Sequence, residues 1–175
     1  MRRHGTHLFT LAGFRVGMDL SWLIIAFLVM WTLASGVFPG QYPGLSSSTY
    51  WFMGIACAAG LLMSIVLHEL SHSLVARRFG MPIGGITLFV FGGIAQMEQQ
   101  PPSPGAEARM AIAGPLASVL IGGVLYGLHS LAGSSMPVPL AGVVRYLGLI
   151  NLVLAGFNLV PAFPLDGGRL LRAAL

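Results

Sequence analysis

The sequence predicts an all-α polytopic membrane protein: four transmembrane helices plus the start of a fifth, with a small β-hairpin inserted between helices 2 and 3. Three observations lead there. Of the 175 residues, 55% are hydrophobic and only 8% charged, against roughly 25% charged in a soluble domain. The apolar residues fall into four stretches, each near the roughly 20 residues a helix needs to cross the hydrocarbon. Between the second and third, β-branched and aromatic residues stand between glycine pairs, a strand signature. A mean hydropathy of +0.82 excludes a water-soluble globule and a disordered chain. The pI near 10.0 rests on nine arginines scattered at segment ends. They form no basic run, so the expected partner is the lipid bilayer and not nucleic acid. Cys57 is the only cysteine, which excludes an internal disulfide.

The spans are expected at about 20–38, 50–76, 108–131 and 138–161. The first has too long an apolar run for a cleaved signal peptide. Trp22, Trp31 and Trp51 near span ends suit interfacial anchoring. Arg2, Arg3 and Arg15 precede the first span, Arg77 and Arg78 follow the second, Arg109 opens the third, and Arg169 and Arg172 follow the fourth. The positive-inside rule then places the N-terminus, the 79–107 connection and the chain end in the cytoplasm. His4 and His7 fall in a terminus expected to be mobile. The β segment, about 83–98, reads as strands Ile86–Phe91 and Ile94–Glu98 turning at Gly92-Gly93. Residues 167–175 read as the start of a further helix.

The second span carries His68-Glu69-Leu70-Ser71-His72. In a helix the two histidines share one face about 6 Å apart along the axis, which suits two imidazoles on one Zn²⁺. Glu69, beside them, is placed to take a proton from water. Ionisable groups inside an apolar helix are costly and point to function. Catalytic zinc needs a third protein ligand, and depth selects it. His68 and His72 lie toward the Arg77 end of their span, and Asp166 follows the fourth span on that same side. Asp19 precedes the first span beside Arg15, while Cys57 and His129 lie toward the opposite face. Pro161 and Pro164 break the helix just before Asp166.

These motifs resemble the site-2 protease family of intramembrane zinc metalloproteases. The likeness lies in His68-Glu-Leu-Ser-His72, Phe91-Gly-Gly, Ala113-Gly-Pro115 and Asn158-x-x-Pro-x-x-Pro-x-Asp166-Gly. The resemblance implies one Zn²⁺ per chain held by His68, His72 and Asp166. It implies Glu69 as the base that activates water and Asn158 as the group that positions the reacting carbonyl. Transmembrane protein substrates, cleaved within or near the bilayer, are the implied partners. An unwound substrate could add to an exposed strand edge around Ile86, Phe91, Gly92, Gly93 and Ile94; the alternative is a hairpin that only closes the mouth of the site. The expected organisation is a single transmembrane core, residues 1–175. Later helices of the family core and the CBS domains common in its bacterial and archaeal branch are not included. Ser118 stands where many relatives have Asn, which leaves a role for that side chain open. A metal-ion transporter using the same ligands and an inactive scaffold are the competing functions. The expected location is the cell membrane, multi-pass, with the site opening to the cytoplasm; a homo-oligomer is compatible with all of this.

Overall fold

The computed structural model describes residues 6–89, 92–97 and 101–175. Four helical segments, 21–41, 47–78, 104–135 and 138–158, are long and apolar enough to cross a membrane. They coincide with the four apolar stretches, but caps and breakers, not hydropathy, set their ends. Ser46 Oγ accepts the amide of Thr49 and starts α3 (Ser47–Arg78) ahead of Tyr50. Ser103 does the same for Ala106 at the start of α4 (Pro104–Ala132). The first span is not uniform: α1 (Ser21–Thr32) widens into a π-helical turn at Leu33–Val37 before α2 (Phe38–Gln41). Pro39 has no amide to donate, and the wider turn ahead of it absorbs the missing bond. α5 (Val138–Asn158) stops short of Pro161, and α6 (Asp166–Ala174) is the further helix expected at the end.

Residues 6–18, ahead of the first span, are not a loose terminus, and His4 lies outside the described residues. β1 (Thr6–Leu11) and β2 (Phe14–Met18) form a hairpin whose turn residues, Ala12 and Gly13, have φ of +51° and +88°. Positive φ at both positions is the geometry of a tight two-residue hairpin loop. Arg77 of α3 donates to the Ala12 carbonyl at 2.8 Å and lies over the Phe14 ring. Phe14 and Val16, alternate residues of β2, pack on Trp22, Val66 and Leu70.

β3 (Ile83–Phe89) and β4 (Gly92–Met97) complete a four-stranded sheet in the order β1-β2-β3-β4. β3 runs parallel to β2 and antiparallel to β4. The turn expected at Gly92-Gly93 does not fall on those residues. Gly92 pairs with Phe89 and Gly93 with Leu88, so both glycines are strand residues. Register follows from the pairing of β3 between β2 and β4, and a glycine pair can sit in an edge strand as well as in a turn. The connection, residues 90–91, and Glu98 lie outside the described residues.

α3 has two working faces. Val66 and Leu70 meet the sheet; His68 and His72, two positions on and therefore about 200° round the helix, meet α4. α4 and α5 approach closely. A Cβ added at Gly148 would lie 2.8 Å from the Tyr126 amide nitrogen. Such close backbones hold helices together where lipid supplies no hydrophobic drive. Asn151 of α5 reaches α3, donating to Ser64 Oγ at 2.9 Å, one turn before His68.

Candidate metal centre

His68 and His72 lie about 14 and 8 Å along the helix axis before Arg77. Both are buried, with ring centroids 4.9 Å apart. Each presents its two ring nitrogens to different partners. His72 Nδ1–H donates to the Met110 carbonyl of α4 at 2.6 Å. His68 Nδ1 lies 2.9 Å from Ser118 Oγ, also on α4. Both Nε2 atoms then face Asp166 Oδ2, at 3.2 Å from His68 and 3.1 Å from His72. Pro115 sits between these α4 contacts; it lacks the amide that would bond Ala111, which loosens the ladder in the turn that offers Met110 O.

Asp166 reaches the pair because the chain folds back sharply after α5. A Cβ on Gly167 would lie 2.3 Å from the Leu159 and Val160 carbonyl oxygens. The Asp-Gly-Gly start of α6 is therefore pressed onto the preceding connection and admits no side chain there. Burial by itself raises the Asp166 carboxyl, but the two imidazoles beside it outweigh that and hold it down at about 2.

The donor set fits a metal ion. With Nδ1 of His72 donating to a carbonyl, its Nε2 carries a lone pair, and that lone pair faces a carboxylate oxygen. Lone pairs so placed need a cation or a proton between them. His68 Nε2, His72 Nε2 and a carboxylate oxygen of Asp166 all lie within 4.8 Å of one another. Gly114 leaves the space: an added Cβ would stand 2.2 Å from His72 Nε2 and 2.6 Å from His68 Nε2, close to a metal–ligand bond length. Two imidazoles and a carboxylate with their second nitrogens engaged are a zinc-type set.

The structure thus brings His68, His72 and Asp166 together, with Glu69 half-buried beside them. Asn158 is the last residue of α5, and its Nδ2 donates to the Leu154 carbonyl at 2.9 Å. Gly92, Gly93 and Ile94 lie on β4, which has no strand beyond it among the described residues. Ile86 is different: it pairs with Val16 on one side and Ala95 on the other, so its backbone is not open to a further strand. Phe91 lies outside the described residues. The sequence reading missed α4 as the wall of the site. Ser118, whose role it left open, is fully buried against His68. The signal was available, because Ser118 is one helical turn beyond Gly114 and so on the same face.

Fold and site together define an integral membrane protein with a donor set fit for a metal ion between three of its helices. Comparison with known proteins gives the family. The chain matches peptidase family M50 over residues 56–141 and 131–175, and it belongs to that family. It is 40% identical over 166 residues to the putative zinc metalloprotease Rip3 of Mycobacterium tuberculosis, covering 94% of this chain and 42% of that protein. The putative zinc metalloprotease sll0528 of Synechocystis is 41% identical over the same shares. Among solved structures, the site-2 protease from Methanocaldococcus jannaschii superposes with a TM-score of 0.65 at 33% identity, covering 98% of this chain and 71% of that one. The chain thus spans about two fifths of the length of these curated relatives. Their description as zinc metalloproteases and the donor set found here agree on Zn²⁺ as the cofactor.

Proposed function

We propose that this chain is a single transmembrane protease core that hydrolyses peptide bonds of membrane-spanning proteins within or near the bilayer. The observation that carries the reading is the convergence of His68, His72 and Asp166 with Glu69 next in sequence to the first. His68 and His72 through Nε2, and Asp166 through its carboxylate, would hold zinc. Bound there, it would supply a Lewis acid for the acidification of water and the polarisation of a peptide carbonyl. Glu69 takes the proton of the attacking water and returns it to the leaving amine. The Asn158 amide nitrogen carries a second hydrogen beside the one given to Leu154, and that hydrogen meets the carbonyl of the scissile bond.

The helix geometry supports a route for substrate. Glu69 stands about 80° from the middle of the histidine face of α3 and about 80° from the middle of the Val66–Leu70 face that carries the sheet. A strand added to the edge of β4 at Gly92, Gly93 and Ile94 therefore runs on the sheet beside the flank that holds the base. Strand addition also satisfies the backbone of a substrate helix once it unwinds. The arginines at this end of the bundle support a site that opens to the cytoplasm.

The test is Glu69→Gln in detergent or liposomes with a membrane-spanning substrate. Cleavage falls by at least a hundredfold while about one zinc per chain is retained. Unchanged turnover removes Glu69 from the reaction and with it this reading.

A further inference from the structure

We infer that Glu107 and Arg172 form a latch that positions Asp166, a role that rests on the metal-centre reading above. Glu107 lies in the first turn of α4 and is 9% exposed. Arg172 lies on α6, and its Nε donates to Glu107 Oε1 at 2.9 Å, with Nη2 on the same oxygen. The Arg172 guanidinium also stands 6.0 Å from the centre of the Phe163 ring, in the connection that leads into α6. One side chain therefore ties three parts together: the start of α4, the 159–165 connection and α6.

The need for such a tie follows from how α6 is held. Its first turn is fixed by the glycines pressed on the Leu159, Val160 and Ala162 backbone. That contact fixes where α6 begins but not its direction. α6 packs on α4, and Arg172 lies about 9 Å along the axis from Asp166. A swing of about 10° at the root shifts the carboxylate by about 0.5 Å, whereas metal–ligand distances tolerate only about 0.2 Å. α4 also carries Met110, Gly114 and Ser118, which orient and border both imidazoles. Locking α6 to α4 thus locks the third ligand to the body that orients the other two. Glu107 and Arg172 touch no reacting atom; both are positioning residues.

The experiment measures Zn²⁺ release from the detergent-solubilised full chain into excess chelator, for wild type, Arg172→Gln, Arg172→Lys and Glu107→Gln. Arg172 is the more exposed partner, so its variants are the ones least prone to fail in folding. The expected result is release about tenfold faster in Arg172→Gln and Glu107→Gln, with Arg172→Lys between Arg172→Gln and wild type because it keeps the charge but loses the forked donors and the ring contact. The visible spectrum of the Co²⁺-loaded Arg172→Gln protein shifts, reporting altered ligand geometry, while the melting temperature of the metal-free protein stays at the wild-type value. Unchanged release and spectrum in Arg172→Gln overturn the latch alone. Faster release matched by an equal loss of metal-free stability assigns the pair to folding and also overturns it. A folded wild type that holds neither zinc nor cobalt overturns the metal-centre reading, and the latch with it.

Discussion

Gly114 is the residue whose replacement tests the site most directly. An alanine there puts a methyl 2.2 Å from His72 Nε2 and 2.6 Å from His68 Nε2, where ordinary contact begins near 3.4 Å. The methyl thus occupies the space where the three donors converge. Relief requires α4 to withdraw by about 1 Å or the imidazoles to turn, against a tolerance of about 0.2 Å in metal–ligand distances. Withdrawal also strains the Met110 and Ser118 contacts that orient the rings, and losing such partners alone costs 10–100-fold in metal affinity, as an order of magnitude. Gly114→Ala should therefore lose at least about a hundredfold in zinc affinity, some 2.8 kcal/mol. Gly123→Ala is the matched control in the same helix, because its added Cβ meets nothing within 4 Å and alanine favours helix by about 1 kcal/mol. Zinc per chain and chelator competition are measured on both, beside helicity and melting temperature. If Gly114→Ala folds and holds zinc as tightly as wild type, the two Nε2 atoms do not share a metal in this arrangement.

Three further outcomes are expected. Ser118→Ala removes the oxygen beside His68 Nδ1 and should weaken zinc by about tenfold; an unchanged chelator titration means that the imidazole is oriented without it. Asp166→Ala leaves two imidazoles and should drop purified zinc content well below one per chain, so full occupancy in this variant reassigns the third ligand. Gly85 has φ +154°, and an added Cβ would lie 2.9 Å from the Arg15 carbonyl on β2. Gly85→Ala should destabilise the β2–β3 pairing by on the order of 1–3 kcal/mol and reduce substrate cleavage while zinc content is preserved. Wild-type turnover in that variant would separate the sheet from substrate handling.

What the sequence disclosed and what it hid divide along the range of the interactions. The four spans and the His68–His72 pair depend on local periodicity, a property of neighbouring residues, and they stand where the pattern puts them. Asp166 came from depth, since two groups at the same membrane level can meet. The N-terminal hairpin was hidden because Ala12-Gly13 is a weaker turn signal than Asn-Gly or Asp-Gly, and because Phe14 and Val16 show their purpose only against Val66 and Leu70 of α3. The β3–β4 turn was misplaced because Gly92-Gly93 reads equally as turn or strand until β3 is paired. The α4 wall was not legible from composition: Gly114 matters for the side chain it lacks, Met110 for its carbonyl and Ser118 for one oxygen.

Charge gives the last constraint on how this site works inside a bilayer. Two neutral imidazoles and the Asp166 carboxylate leave a bound Zn²⁺ with one positive charge unbalanced, and an isolated charge in an apolar bundle is expensive. Glu69, half-buried beside His68, supplies the missing negative charge, so the resting site sums to zero. In the proposed reaction the same carboxylate would take a proton as negative charge develops on the attacked carbonyl, which would keep the total constant through the step. Among the described residues, the two remaining acids are engaged elsewhere. Asp19 accepts the Ser21 amide at the start of α1, and Glu107 is neutralised by Arg172. In the proposed reaction one carboxylate, next in sequence to His68 and between the histidine and sheet flanks of α3, would thus meet the electrostatics of the membrane and the chemistry of hydrolysis together.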